Sequence, residues 1–321
     1  MGADPGNATD ARSRGVEEID RPRRTDAQRL FTRVTEERME RRPLGKTGRE
    51  LSIVGFGGIV VMNVEPAEAS RLVAEAVDRG VNYFDVAPSY GNAEERLGPA
   101  LAPHRDRVFL ACKTGKRDKA EAARELRESL QRLQTDHFDL YQLHALTTME
   151  EMEQALGPGG ALEAFLEARD AGLIRHIGFS AHSVETALAA MDRFAFDSIL
   201  FPTNFVLYHQ ANFGPQVVER AREKQVGRLA LKAMARTQWV EGQPRPFSKT
   251  WYEPIADPHE ASLALRFTLS QPITAAIPPG EAALFRLALD VAEQFRPLSD
   301  AEAEELRRTA ESLQPIFRLA A

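Results

Sequence analysis

From Leu44 onward, short apolar runs rich in β-branched and aromatic residues alternate with longer stretches whose apolar positions recur every three or four residues. By that periodicity the short runs predict strands at Ser52–Gly57, Asn82–Val86, Val108–Lys113, Phe138–His144, His176–Ser180, Ser198–Pro202, Arg228–Ala233 and Thr274–Ile277. The longer stretches predict helices over Ala67–Arg79, Lys119–Leu133, Gly160–Ala171, Val184–Phe194, Pro215–Lys224 and His259–Ser270. Gly80 and Gly172 fall just past two of these helices, where a chain turns through a left-handed residue before the next strand. Each parallel pairing needs a crossover, and eight alternations predict an α/β chain closed into a (β/α)8 barrel. The rival, an open doubly wound sheet, usually carries a glycine-rich phosphate turn after its first strand, and GFGG at 55–58 lacks the third glycine. Gly45 and Gly48 in RPLGKTGREL (42–51) separate short extended pieces and predict a β-hairpin cap before strand one.

Residues 1–42 break this rhythm: they carry ten basic and nine acidic side chains, a net of +1, and few apolar positions. Met1–Arg24 reads as flexible, and Asp26–Arg41 as a helix with Leu30, Phe31 and Val34 on one side. The expected organisation is a charged extension over 1–41, flexible or partly helical, followed by a barrel over 42–321. Within the barrel, Gly242–Pro258 is a long proline- and aromatic-rich loop, of the kind that is usually functional.

Composition narrows the classes. With 43% hydrophobic and 27% charged residues the chain reads as an ordinary globular protein. No apolar run approaches the ~18–20 residues of a membrane span, and no apolar segment follows Arg23-Arg24 as a secretory signal would require. The single cysteine, Cys112, excludes an intramolecular disulfide and a cysteine-rich metal site. These features place the chain in the cytoplasm. A net charge of −6 argues against a nucleic-acid binder. The HEASL that starts at His259 lacks a zincin's second histidine, so no metal is expected.

Parallel barrels carry their chemistry at the C-terminal ends of the strands. There the chain places Asp85, Lys113, His144 and Ser180, with Tyr90 in the loop after strand two. Taken singly, each has a structural reading: Asp85 as a turn cap, Lys113 snorkelling to solvent, His144 as a bonded core residue, Tyr90 as a surface aromatic. Cys112 precedes Lys113 and should face the helices as a buried thiol. Tyr208, Trp239, Trp251 and Tyr252 fall in loops at the catalytic end, where they either line a pocket or pack the long loop.

As a set, these residues resemble the aldo-keto reductase family. The resemblance is carried by Asp85 and Tyr90 in NYFDVAPSYGNAEERLG, Lys113 in VFLACKTGK, His144 in FDLYQLHAL and the opening RPLGKTGRELSIVGFGG, and it runs from about Arg42 to the C-terminus. It implies reduction of an aldehyde or ketone by a nicotinamide cofactor. Tyr90 would be the general acid, Lys113 a cation that lowers its pKa from ~10, Asp85 the partner that holds Lys113, and His144 the group that orients the carbonyl. It also implies a cofactor site at Ser180, Lys232, Arg236, Pro278, Gly280 and Arg286, with NADPH expected and NADH as the alternative.

The match departs from the family around the cofactor. Ala181 follows Ser180 where the family has asparagine, and Leu200 stands where a glutamine commonly binds the carboxamide, with His182 and Asn204 as nearby substitutes. Lys232 occupies the position that stacks on the ring without arginine's planar group. Glu281 lies where a 2′-phosphate partner is expected, with Arg286 the basic residue behind it. Three readings therefore remain at the sequence level: an NAD(P)H-dependent carbonyl reductase of small molecules, a family-like barrel acting as a regulatory or binding subunit, and a non-redox lyase or isomerase. The oligomeric state is not encoded in any of these features.

Overall fold

A computed structural model of the chain describes Met1 and residues 39–319. The flexible or helical stretch expected over 1–41 lies almost wholly outside the described residues. Strands β1 (Arg41–Pro43) and β2 (Glu50–Ser52) pair antiparallel as the expected hairpin, with Arg41 opposite Ser52. The barrel strands follow as β3 (Phe56–Gly57), β4 (Tyr83–Asp85), β5 (Phe109–Thr114), β6 (Phe138–Leu146), β7 (Ile174–Ala181), β8 (Ser198–Pro202) and β9 (Gly227–Leu231). A second hairpin, β10 (Ala235–Gln238) and β11 (Tyr252–Pro254), interrupts the alternation before the last barrel strand, β12 (Ala275–Ile277).

Each barrel strand pairs in parallel with the next in the chain, from β3 to β12. Val54 bridges Ala276 in parallel, and Ala276 N–H donates to the Ile53 carbonyl at 2.8 Å, which joins the first strand to the last and closes the ring. The expected strand Ser52–Gly57 is therefore divided: Ser52 belongs to the hairpin, residues 53–55 bridge to β12, and only Phe56–Gly57 ladder with β4.

Eleven helices are described: α1 (Pro66–Asp78), α2 (Ala93–Leu101), α3 (Lys119–Arg132), α4 (Met149–Leu156), α5 (Ala161–Asp170), α6 (Val184–Arg193), α7 (Phe205–Ala211), α8 (Pro215–Glu223), α9 (Pro258–Ser270), α10 (Ala282–Glu293) and α11 (Asp300–Glu311). The logic of α3 is local. Asp118 accepts hydrogen bonds from the Ala120 and Glu121 N–H groups, a cap worth about 1 kcal/mol, and Ala122, Leu126, Ser129 and Leu130 recur on the buried side. Gly80, just after α1, has φ +90°, the left-handed turn its position demanded.

Two cores follow from strand alternation. Outward side chains pack against the helices, while Tyr83, Phe109, Ala111, Leu140, Leu200, Leu229 and Ala275 fill the lumen together with Leu44 and Leu51 of the hairpin. The hairpin is bolted to the N-terminal ends of the strands. Asn82 Nδ2 donates to the Glu50 carbonyl at 2.9 Å, and Thr274 Oγ1 donates to the Pro43 carbonyl at 2.9 Å. At its turn Gly45 has φ +52°, and a β-carbon there would lie 2.5 Å from the Gln225 oxygen, so only glycine fits. One end of the barrel is thereby plugged. Function has the other end.

Candidate active site

At the open end the inward positions of neighbouring strands turn from apolar to polar. Lys113 on β5 is fully buried, and its Nζ donates to Asp85 Oδ1 on β4. The same amine lies 3.4 Å from the Tyr90 hydroxyl and 3.4 Å from the Val86 carbonyl. Asp85 Oδ2 in turn accepts from the Tyr83 hydroxyl at 3.2 Å and from Gln142 Nε2 at 3.0 Å. The ring of His144 stands edge-on to Tyr90, with centroids 5.7 Å apart. The four residues expected to act together are in one place.

Burial is the largest influence on Tyr90, Lys113 and His144. It raises the Tyr90 phenol; Lys113 pulls it back down, Asp85 pushes it up, and the sum lies above the ordinary tyrosine value. The cation therefore works in the direction expected from the sequence but does not win. For Lys113 burial opposes the charge, yet the charges of Asp85 and Tyr90 offset it and the amine holds its proton more tightly than a free lysine. His144 is driven down to about 3, by burial first and by Lys113 second, so its imidazole is neutral at physiological pH. Cys112 faces outward, 3.5 Å from Glu94 Oε1, and burial pushes its thiol well up, which makes it an inert core group.

Above Lys113 opens a cavity of about 260 Å³. Tyr90, Lys113 and His144 line it, and so do four of the residues expected to hold cofactor: Ser180, Lys232, Pro278 and Gly280. Lys232 has a left-handed backbone at φ +68°, and its Nζ sits 5.3 Å from the Trp251 ring and 5.0 Å from the Tyr252 ring. Among the described residues no carboxylate lies within ion-pair distance of it, and burial lowers its pKa to about 8. The remaining two expected cofactor residues lie elsewhere. Arg236 pairs with Glu260 at 3.1 Å and Glu253 at 3.5 Å, and Arg286 on α10 grips Glu75 on α1 at 2.8 Å. Neither lines the cavity.

The departures noted in the sequence are visible as packing. Leu200 contributes to the lumen core and to the cavity wall, and Ala181 is fully buried. Asn204 is occupied: its Oδ1 caps α7 by accepting from Leu207 N–H at 2.9 Å, and its Nδ2 donates to the Lys232 carbonyl at 3.1 Å. His182 does reach the cavity, neutral and stacked 5.1 Å from Phe317 near the chain's end. Trp251 and Tyr252 line the cavity, whereas Trp239 donates to the Thr250 carbonyl and Tyr208 packs edge-on against Phe267. The long loop expected over Gly242–Pro258 is shorter than that, because Tyr252–Pro254 forms β11.

A family model described as the Aldo/keto reductase family matches residues 54–253, from the start of the barrel through β11. The chain belongs to that family. Curated relatives match only in part. The uncharacterized oxidoreductase YqkF of Bacillus subtilis is 36% identical over 81 residues, and pyridoxal 4-dehydrogenase of Microbacterium luteolum is 35% identical over 83. L-galactose dehydrogenase of Arabidopsis thaliana is 39% identical over 88 residues. These matches cover 24–25% of this chain and 24–28% of those proteins, so the chain aligns with about a quarter of their length. A solved Pseudomonas aeruginosa protein assigned to the aldo-keto reductases superposes with TM-score 0.63 at 28% identity, over 79% of this chain and 94% of that one. The holo form of a Bacillus halodurans aldo-keto reductase gives TM-score 0.67 at 23% identity, over 87% and 99%, a likeness of fold.

Several residues of this aldo-keto reductase site escaped sequence reasoning. Tyr83 and Gln142 hold Asp85 from inside the strands, where inward side chains read as packing. Lys249 also lines the cavity; its Nζ donates to the Val60 carbonyl at 3.0 Å, and its backbone N–H donates to Glu281 Oε1 at 2.9 Å. No helix among the described residues is long and apolar enough to cross a membrane. No group of three or more His, Cys, Asp or Glu side chains there is placed to hold a metal.

Proposed function

We propose that this aldo-keto reductase reduces the carbonyl of a small aldehyde or ketone to an alcohol with NADPH as donor. The observation that carries the reading is the buried Lys113 amine held between Asp85 and the Tyr90 hydroxyl on the cavity floor. Ser180, Lys232, Pro278 and Gly280 are the residues that would hold the cofactor's nicotinamide end. The Lys232 ammonium, beside two aromatic rings, would donate a hydrogen bond to the carboxamide oxygen of a nicotinamide ring. At about 260 Å³ the cavity takes such a ring or a small carbonyl compound, not a whole dinucleotide.

A bound nicotinamide dinucleotide supplies hydride to the carbonyl carbon. The chain supplies the rest. Burial keeps Tyr90 protonated at neutral pH, so it always has a proton to give, and an alkoxide is basic enough to take it from a phenol. Lys113 then faces the tyrosinate at hydrogen-bond distance and stabilises it, while Asp85 keeps the amine in position. Neutral His144 would donate a ring N–H toward the carbonyl oxygen from Nε2 in the tautomer whose Nδ1, 3.4 Å from the Ser89 hydroxyl, accepts from it. Lys249, which lines the cavity, would be the cation to meet a 2′-phosphate, since Arg286 is engaged with Glu75 and the Lys249 backbone N–H already occupies Glu281. NADH is the alternative donor if Glu281 rejects the phosphate.

The test is consumption of NADPH against a panel of small aldehydes and ketones by the full chain and by Tyr90→Phe. The expected loss in Tyr90→Phe is about 100-fold or more, with NADPH still bound. Full activity in that variant, or no binding of NADPH or NADH by titration calorimetry, ends the proposal.

A further inference from the structure

The ladder around β6 is interrupted where His144 lies. On one side β5 pairs with β6 only as far as Thr114 opposite Leu143. On the other, the β6–β7 register shifts: Leu143 faces Phe179 but Leu146 faces Ala181, so three steps of β6 span two of β7. The extra residue forms a bulge at His144–Ala145. Ala145 there has φ +53°, a left-handed conformation that residues with a β-carbon avoid. Bulges of this kind re-aim side chains beside active sites.

Something must hold a strained bulge at the end of a strand with no β5 partner, and Arg117 does. Its Nη2 donates to the His144 carbonyl at 2.8 Å and to the Ala145 carbonyl at 3.3 Å. The Ala145 N–H is fixed from the other side by Ser180 Oγ at 2.7 Å. Arg117 is costly to keep there: its side chain is only 10% exposed, and its Nε and Nη1 are buried without partners. Its one carboxylate partner among the described residues, Glu151, reaches only Nη2, with Oε1 at a loose 3.6 Å, while Oε2 accepts from the Thr147 and Thr148 N–H groups. For stability alone an apolar side chain would serve as well.

We infer that Arg117 is a positioning residue: its guanidinium clamps the His144–Ala145 bulge and thereby sets the aim of the His144 ring into the cavity. The inference rests on the role given to His144 above. It adds a part that the strand-end pattern does not reveal, a loop residue four positions after Lys113 acting through two backbone carbonyls.

The test uses the full chain with Arg117→Met, Arg117→Lys, His144→Gln and the double variant Arg117→Met/His144→Gln. Two readouts are taken: steady-state carbonyl reduction with NADPH, and the ring nitrogen resonances of His144 by NMR, assigned by their loss in His144→Gln. Arg117→Met is expected to shift those resonances and lower kcat about 10–100-fold. It should have no further effect in the His144→Gln background, because both substitutions remove the same contribution. Arg117→Lys keeps a cation within reach of one carbonyl and should show a smaller shift and a smaller loss. Unmoved resonances with unchanged kcat in Arg117→Met overturn the inference, as does an equal loss with and without His144. If Arg117→Met does not fold, Arg117→Lys decides: no change in either readout overturns it. If His144→Gln leaves kcat intact, the role given to His144 fails on its own, and the resonances still show whether Arg117 sets the ring.

Discussion

Gln142→Met separates stability from catalysis at this site, because the wild-type side chain both helps and harms. Gln142 is fully buried; its Nε2 gives Asp85 Oδ2 a hydrogen bond at 3.0 Å, while its Oε1 is buried with no partner. Methionine of similar shape removes a bond to a charged group, a loss of about 1.5–3 kcal/mol. It also removes an orphaned amide oxygen, a relief of about 1–3 kcal/mol. The two nearly cancel, so the net change in stability should stay within about 2 kcal/mol, or about 4 °C in Tm for a domain of this size. Catalysis has no such relief. Asp85 Oδ2 keeps only the Tyr83 hydroxyl at 3.2 Å, and the carboxylate that holds Lys113 under Tyr90 gains freedom to turn. If about half of the lost bond is felt in the transition state, roughly 0.75–1.5 kcal/mol, the rate falls about 4- to 12-fold. Thermal unfolding and NADPH consumption, measured on the same preparation, check both arms. A Tm lowered far beyond about 4 °C would show that the amide oxygen is not an orphan. An unchanged rate would show that Asp85 needs no help from β6.

Two further outcomes follow from the charges at the cavity and beyond it. Burial lowers Lys232 to about 8, so it is charged below that pH and neutral above; NADPH affinity should weaken as pH rises through 8, and Lys232→Met should flatten the profile in calorimetric titrations across pH 6–9. Arg286→Ala should leave NADPH affinity nearly unchanged and cost at most about 1 kcal/mol in denaturant unfolding, since Arg286 serves a partly exposed pair with Glu75; a tenfold weaker affinity would put that side chain on the ligand.

The barrel was legible because its strands and longer helices obey their periods. Apart from the first, whose ladder starts at Phe56 and not at Ser52, the strands of the inner ring fall within a residue or two of the expected segments, and the hairpin at Gly45 and Gly48 is present. The helices that escaped prediction had reasons to. Among the described residues α2, α4, α7, α10 and α11 lie outside the segments named from the sequence; of these, α7 is short and starts from the Asn204 cap, and α2 carries Pro99 inside it. The hairpin β10–β11 was hidden because a bulge between Ala235 and Thr237 breaks its alternation and thirteen residues separate its arms. At the site, Asp85, Lys113 and His144 announced themselves as polar groups ending apolar strands. Gln142 and Tyr83 did not, since an inward residue in mid-strand looks like packing until its partner is known. Arg286 illustrates the opposite failure: nearness along the chain to the last strand says nothing of aim, and the side chain turns outward to Glu75.

The plugged end has a practical side. Residues Met39 and Glu40 lead into the hairpin that seals the barrel, where Ile53 N–H donates to the Glu40 carbonyl. Phe317, by contrast, stacks on His182 and meets Trp251 edge-on at the open rim. The continuous described stretch 39–319 thus begins at the sealed floor and finishes in the doorway. Attachment to a resin, a surface or a fusion partner through a point near residue 39 would leave traffic through the doorway untouched. The same attachment after Phe317 would hang its load across the open end, beside the cavity that His182 and Trp251 line.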